Sequence, residues 1–280
     1  MSKRILAALL AAMLLCGICA LAEATTREPI VWPEPTATTE PTTMAEPTAT
    51  AGPTATAGPT ATPTVTPEPT PEPGRLAGIR IGIDPGHQRH GNSDREAIAP
   101  GSREKKAKVS DGTEGVSTGI PEYVTVLEIS FALRDALLAE GAEVYMTRET
   151  HDVDISNQER AKMMNDLGCD LVLRIHCDGA EGRKPNGIGL YVNESYDISE
   201  ASYAAAEAIL PRMCEATGAK MRDIYESDTY TGLNWSTVPC ILVECGFMSN
   251  PEEDQKLNTP EYQQKLAEGM VEGICDYFER

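Results

Sequence analysis

A chain of 280 residues that sets 43 acidic against 24 basic side chains, for a net charge of −19, is poorly suited to nucleic acid or to an anionic membrane surface. Taking away the +2 of the first 22 residues and the −6 of residues 23–74 leaves −15 on the remainder, so the exclusion applies to the part that folds. Its six cysteines beyond residue 22 contain no C-x-x-C pair, which excludes a zinc-finger reading.

The first 22 residues have the layout of a secretory signal. Lys3 and Arg4 precede an apolar run from Ile5 to Leu15, and Ala20-Leu21-Ala22 supplies a small-x-small cleavage site. The run is short for a membrane span. Leu15 and Ile18 stand before Cys16 and Cys19 where a lipid-anchor site wants a small residue. Cleavage after Ala22 is therefore expected, with no span in the mature chain; an uncleaved anchor is the alternative. Residues 23–74 are rich in Thr, Pro, Ala and Glu, and Ala51–Thr56 repeats word for word as Ala57–Thr62. Such a segment has little to bury and favours extended polyproline II, at about 3.1 Å per residue. It reads either as a spacer through a surface layer or as a featureless linker.

Residues 75–280 are long enough for one domain with its own core. Ile79, Ile81 and Ile83 alternate as a strand, and Pro85-Gly86 stops it, leaving His87 just past its end. Gln88–Gly119 has no sustained period and reads as a long loop with a binding or lid role, carrying the basic patch Arg103–Lys108. A helix opens at Pro121-Glu122 and runs to about Ala139, with an apolar stripe of Val124, Leu127, Phe131 and Leu138. A strand over Ala142–Thr147 follows. The next helix, Ile155–Leu167, is capped by Asp154 or Ser156 and ended by Gly168.

Asp170–His176 is nearly all apolar, as befits a central parallel strand. A short strand over Gly189–Val192, a helix over Glu200–Gly218, and a buried strand over Val238–Val243 leading into Glu244 come next. A helical turn from Pro251 and a closing helix over Pro260–Phe278 complete the pattern. Strands alternating with helices predict an α/β fold: a largely parallel central sheet flanked by helices on both faces, forming a single catalytic domain. Several cysteines sit in apolar runs and read as core residues, although disulfides are open to a secreted chain.

Four histidines are present, and two of them, His87 and His176, close apolar strands. In a parallel sheet those strand ends share one edge, where such folds place their chemistry. Glu244 and Glu122 come to the same rim. Two imidazoles and one or two carboxylates make a plausible zinc set, with an open position for chemistry. Taken alone, Glu122 reads rather as a helix-dipole acid, and Glu244 as a salt-bridge partner, although an acid straight after so apolar a run is costly to place near a core without a partner. His151 follows Arg148 in a polar loop and reads as solvated, while His90 is a weaker candidate in the long loop. Strand alternation turns Cys177 away from His176 and into the core. The same alternation puts Arg174 on the face of His176, either as a substrate contact or as a buried arginine paired with an acid.

Asp84-Pro85-Gly86-His87, Arg174-Ile175-His176 and Val243-Glu244-Cys245-Gly246-Phe247-Met248-Ser249-Asn250 resemble the three signatures of the zinc-dependent N-acetylmuramoyl-L-alanine amidases, the secreted peptidoglycan hydrolases of the third amidase family. The resemblance runs from about Gly78 to Phe278. It implies Zn²⁺ held by His87, Glu122 and His176, with Glu244 as the catalytic acid-base. Glu122 rests on counting back from Val144-Tyr-Met-Thr-Arg148, and Glu114 is the fallback. The implied partner is peptidoglycan, met by a monomer at the bacterial cell envelope. A zinc peptidase cutting the stem peptide, or a wall-binding module with a vestigial metal site, are the competing readings.

Overall fold

The computed structural model describes residues 74–194 and 198–279, which lie within one compact unit. The predicted leader, and the predicted spacer up to Pro73, lie outside the described residues. Eight strands and six helices follow in chain order: β1 Arg80–Pro85, β2 Asn92–Ala97, β3 Lys105–Val109, α1 Glu122–Ala139, β4 Glu143–Met146, α2 Asn157–Leu167, β5 Leu171–Asp178, β6 Ile188–Val192, α3 Ser199–Thr217, β7 Met221–Glu226, α4 Thr231–Asn234, β8 Cys240–Phe247, α5 Pro251–Leu257 and α6 Pro260–Tyr277.

Six strands form one sheet in the order β4-β1-β5-β8-β6-β7. The pairs β4–β1, β1–β5 and β5–β8 are parallel, β6 runs antiparallel to β8, and β7 runs parallel to β6. The sheet is thus largely parallel, with β1 and β5 neighbours and β8 beside them. The strand ends that carry His87, His176 and Glu244 therefore lie along one edge.

The alternation of β5 divides its side chains between two cores. Leu171, Leu173, Ile175 and Cys177 join α1, α3 and α6 in one apolar cluster, while Val172 joins Met164 of α2 and Leu233 of α4 in another. The larger cluster is all but dry: Ile129, Leu133, Ile209, Met270 and Ile274 are fully buried. Each such side chain contributes on the order of 1.5–3 kcal/mol through burial alone. The helices α3 and α6 cross closely because α6 presents glycine. A Cβ at Gly273 would lie 2.4 Å from the Cα of Ile209, and one at Gly269 would lie 2.6 Å from that of Met213.

Several expectations shift. The stretch predicted as a loop holds the antiparallel hairpin β2–β3, and most of the basic patch lies on its second strand. Of the predicted stripe only Leu127 is buried; the rest of the apolar buried face of α1 is Val126, Ile129, Leu133 and Leu137, while Val124 and Phe131 are half-buried and Leu138 is 51% exposed. This helix is apolar nearly all round, so periodicity could not choose the face, and Arg134 covers Phe131 at 4.7 Å from its ring centroid. Pro121 is the N-cap of α1, and Glu122 is its first residue. Ser156, rather than Asp154, caps α2, through a reciprocal capping box with Glu159. The strand before Glu244 runs on through it to Phe247, and β7 and the single turn α4 add to the predicted elements. All six cysteines among the described residues are free thiols, five of them buried.

Candidate metal centre

The end of β1 is fixed from both sides. Gly86 N–H donates to the carbonyl of Ile175 on β5 (2.9 Å), which holds the turn against the central strand. His87 then adopts a left-handed backbone, φ 56°, a conformation that side chains other than glycine seldom take. Two buried arginines keep it there. Arg160 donates to the carbonyls of Pro85 and His87, each at 2.8 Å, and Arg148 donates to those of Pro85 (3.0 Å) and Gly86 (2.8 Å). A strained turn persists when its surroundings over-determine it, as they do here.

Beneath the turn, Asp84 pairs with Arg160 (2.9 Å) and lies 2.8 Å from Nη1 of Arg174, an ion pair without the alignment of a hydrogen bond. Burial pushes the Asp84 carboxyl up, but Arg174 and Arg160, helped by the Thr147 hydroxyl, overcome this and hold it well below the usual carboxylate range. Burial, with repulsion from Arg160, brings the Arg148 guanidinium down to about 10. Arg174 also donates to Asn157, so of its two readings the structural one holds.

His87 and His176 meet edge to face, their ring centroids 4.8 Å apart. Gly86 makes this possible, since a Cβ there would lie 2.3 Å from the His176 ring. Glu122 faces both rings: its Oε1 is 3.1 Å from His87 Nε2 and 3.1 Å from His176 Nδ1. The backbone N–H of Cys177 (3.1 Å) and of Thr113 (2.9 Å) orient the carboxylate. One donor atom from each of the three residues lies within 4.8 Å of the others. His87 Nδ1 sits 2.9 Å from the carbonyl of Ser110, which fixes the tautomer that leaves Nε2 bare toward the cluster.

The charges are unequal. Burial raises the Glu122 carboxyl, yet the two imidazoles outweigh it and hold the group well below its ordinary value. Burial lowers His87, but Glu122 more than compensates and leaves it above the ordinary imidazole value. His176 stays below that value, because burial and the nearby His87 exceed the pull of Glu122. Two nitrogens crowd a single carboxylate oxygen. A cation with a preference for imidazole and carboxylate ligands fits the space among them.

Glu244 sits opposite His176 in the β5–β8 register and on the same face of the sheet. It is only 8% exposed, and its Oε2 is buried without a hydrogen-bond partner. Burial, followed by repulsion from Glu122 and Asp178, pushes this carboxyl well above its ordinary value. It shares a cavity of about 520 Å³ with His87, Glu122, His176, Asp178 and Tyr230. An open cavity, three inward donors and one unpartnered carboxyl of raised proton affinity suit metal-assisted hydrolysis.

The structure brings together His87, Glu122, His176 and Glu244, and leaves the remaining candidates outside. Glu114 is exposed, joined only through its backbone to Pro121. His90 is exposed, while Cys177 faces the larger core. His151 is half-exposed, only partly as expected: its ring packs edge-on against Tyr123, centroids 5.1 Å apart, and its Nδ1 is buried. Sequence reasoning missed Arg148 and Arg160 as the turn's supports. A lone arginine, whether on a helix face like Arg160 or in a loop like Arg148, carries no signal that it is buried.

A family model described as N-acetylmuramoyl-L-alanine amidase matches residues 81–276. The germination-specific N-acetylmuramoyl-L-alanine amidase of Bacillus subtilis is 30% identical over 217 residues, a match covering 72% of this chain and 81% of that one. Another Bacillus subtilis amidase, LytC, is 29% identical over 203 residues, but the match spans only 36% of that longer protein. Among solved structures, the amidase Ami1 from Mycobacterium smegmatis aligns with a TM-score of 0.67 at 25% identity, covering 73% of this chain and 98% of that one.

Proposed function

Because the chain belongs to the N-acetylmuramoyl-L-alanine amidase family, we propose that it hydrolyses the amide joining the lactyl group of N-acetylmuramic acid to L-alanine in peptidoglycan, with Zn²⁺ held by His87, Glu122 and His176. The observation that carries the assignment of roles is the convergence of those three donors on a cavity that also holds the carboxyl of Glu244, one oxygen of which is buried without a partner. Zinc, when bound there, supplies Lewis acidity, polarising a carbonyl oxygen and making water easier to deprotonate.

The chain's own groups do the rest. Glu244, ionised, accepts a proton from the attacking water as its oxygen bonds to the amide carbon. Its high proton affinity makes it an effective base, and it returns the proton to the nitrogen as the carbon–nitrogen bond breaks. The products are a lactyl carboxylate on the glycan and a peptide with a free N-terminal amine. His87 keeps Nε2 available through the Ser110 contact, and the two backbone N–H groups on Glu122 hold the third donor in place. The signal-like leader and the Thr/Pro spacer fit an enzyme working outside the membrane, in the cell envelope. No helix among the described residues is long and apolar enough to cross a membrane.

The substitution Glu244→Gln tests the assignment. It is expected to leave zinc binding within about threefold of wild type and to reduce turnover by 10² to 10⁴, the usual worth of a positioned acid-base group. Near-normal turnover in a zinc-loaded variant would remove Glu244 from the mechanism.

A further inference from the structure

A second cavity, of about 490 Å³, opens on the other side of the β5–β6 connection. Gly179, Ala180 and Glu181 of that connection line the metal cavity, and Lys184, Pro185 and Asn186 line the second one. An ion pair joins the two. Arg222 Nη1, at the second cavity, donates over 2.8 Å to Oδ2 of Asp178, at the first. A run of rings does the same: Tyr230 at the metal cavity lies 5.2 Å from Tyr191, which stacks at 4.9 Å on Tyr225 of the second.

The second cavity reverses the sign of the domain. Three cations, Lys184, Lys220 and Arg222, line it against the single acid Asp223, in a folded region that carries −15. Arg222 is held rigidly, its guanidinium carbon 4.6 Å over the Phe247 ring and 5.3 Å over that of Tyr225. Gly189 leaves it room, since a Cβ there would lie 3.3 Å from that carbon. Lys184 and Lys220 are exposed at the cavity, and among the described residues their ammonium groups have no ion-pair partner.

The two sides of the scissile amide differ in charge. The glycan side offers hydroxyl and acetamide groups, whereas the peptide side carries free carboxylates. We propose that the cavity lined by Lys184, Lys220 and Arg222 is a subsite for a carboxylate of the stem peptide. The inference rests on the amidase reading and fixes how substrate lies: the peptide arm crosses the β5–β6 connection toward β7, and the glycan leaves the metal cavity in the other direction. Arg222 is already paired with Asp178 and partly buried, so the subsite acts through Lys184 and Lys220 together, each exposed cation–carboxylate contact being worth only a few-fold in binding.

The test compares two synthetic muramoyl peptides, one with free side-chain and terminal carboxylates and one with these amidated, cleaved by the zinc-loaded full chain and by the double variant Lys184→Glu/Lys220→Glu. Wild type is expected to favour the acidic substrate by about tenfold in KM, with added salt eroding the preference, and the double variant to abolish or invert it. An equal preference in both proteins would overturn the subsite. If wild type cleaves neither substrate, it is the amidase reading that fails. The subsite is then judged by calorimetric titration with the free acidic peptide, without turnover: weaker binding to the double variant supports it, and equal or absent binding to wild type and variant refutes it.

Discussion

Arg160 donates to the carbonyl of His87 over 2.8 Å and uses its remaining guanidinium N–H groups on Asp84, Pro85, Gln88 and Ile155. All five donors of one buried side chain thus converge around a single turn and the start of the neighbouring helix. With Arg148 on the carbonyls of Pro85 and Gly86, every peptide unit from Pro85 to His87 is held. The left-handed His87 is a consequence of that grip.

Lysine cannot reproduce a five-donor fork. Arg160→Lys keeps the charge opposite Asp84 but releases most of the carbonyls, so zinc affinity should fall by about 10–100-fold, the range typical of groups that orient metal ligands. Competition against a chromophoric chelator measures it, with a thermal melt to show that the variant is folded. A folded variant with wild-type affinity would mean that the turn holds itself.

Gly86→Ala attacks the same turn sterically. The added Cβ would lie 2.3 Å from the His176 ring, so the two imidazoles must separate. Zinc binding should be lost by more than about tenfold, an effect on the scale of the orienting contacts above. The visible spectrum of a cobalt-substituted sample would report altered ligand geometry. An unchanged spectrum would show that the rings can shift without cost.

Zinc affinity should depend on pH with a definite sign. An imidazole must be neutral to bind metal, and His87 holds its proton above the ordinary value of about 6.5 because Glu122 stabilises the charged form. Apparent affinity is therefore full at alkaline pH, begins to fall above pH 6.5, and falls further as pH drops. His176, held below that value, adds no loss until lower pH. A titration series from pH 8 to pH 5 checks this; affinity flat down to pH 6 would contradict it.

The candidate metal cluster is legible in the sequence because strand ends are legible. An isoleucine alternation stopped by Pro85-Gly86 locates His87, an apolar run locates His176, and one edge collects both. The alternation also separates His176 and Arg174 from Cys177, as the two cores of the sheet bear out. Glu244 draws attention as an acid after an apolar run, although the strand continues through it with all eight residues buried.

What stays hidden is hidden for physical reasons. The hairpin β2–β3 has no alternation because most of both strands faces water. The strand β7 lies at the edge of the sheet and reads Met-Arg-Asp-Ile-Tyr-Glu, with no residue fully buried. The buried face of α1 is undetermined by a helix that is apolar on most sides. The role of Arg160 depends on carbonyls contributed by residues more than seventy positions away.

The most direct test of the account is mass spectrometry of purified peptidoglycan digested by the full chain, with chelator, without it, and after zinc is restored. The account predicts free stem peptides beginning at L-alanine beside peptide-free glycan, absent with chelator and regained with zinc. Shortened stems still attached to muramic acid would make the chain a peptidase, and muropeptides left intact by the zinc-loaded protein would contradict the amidase account.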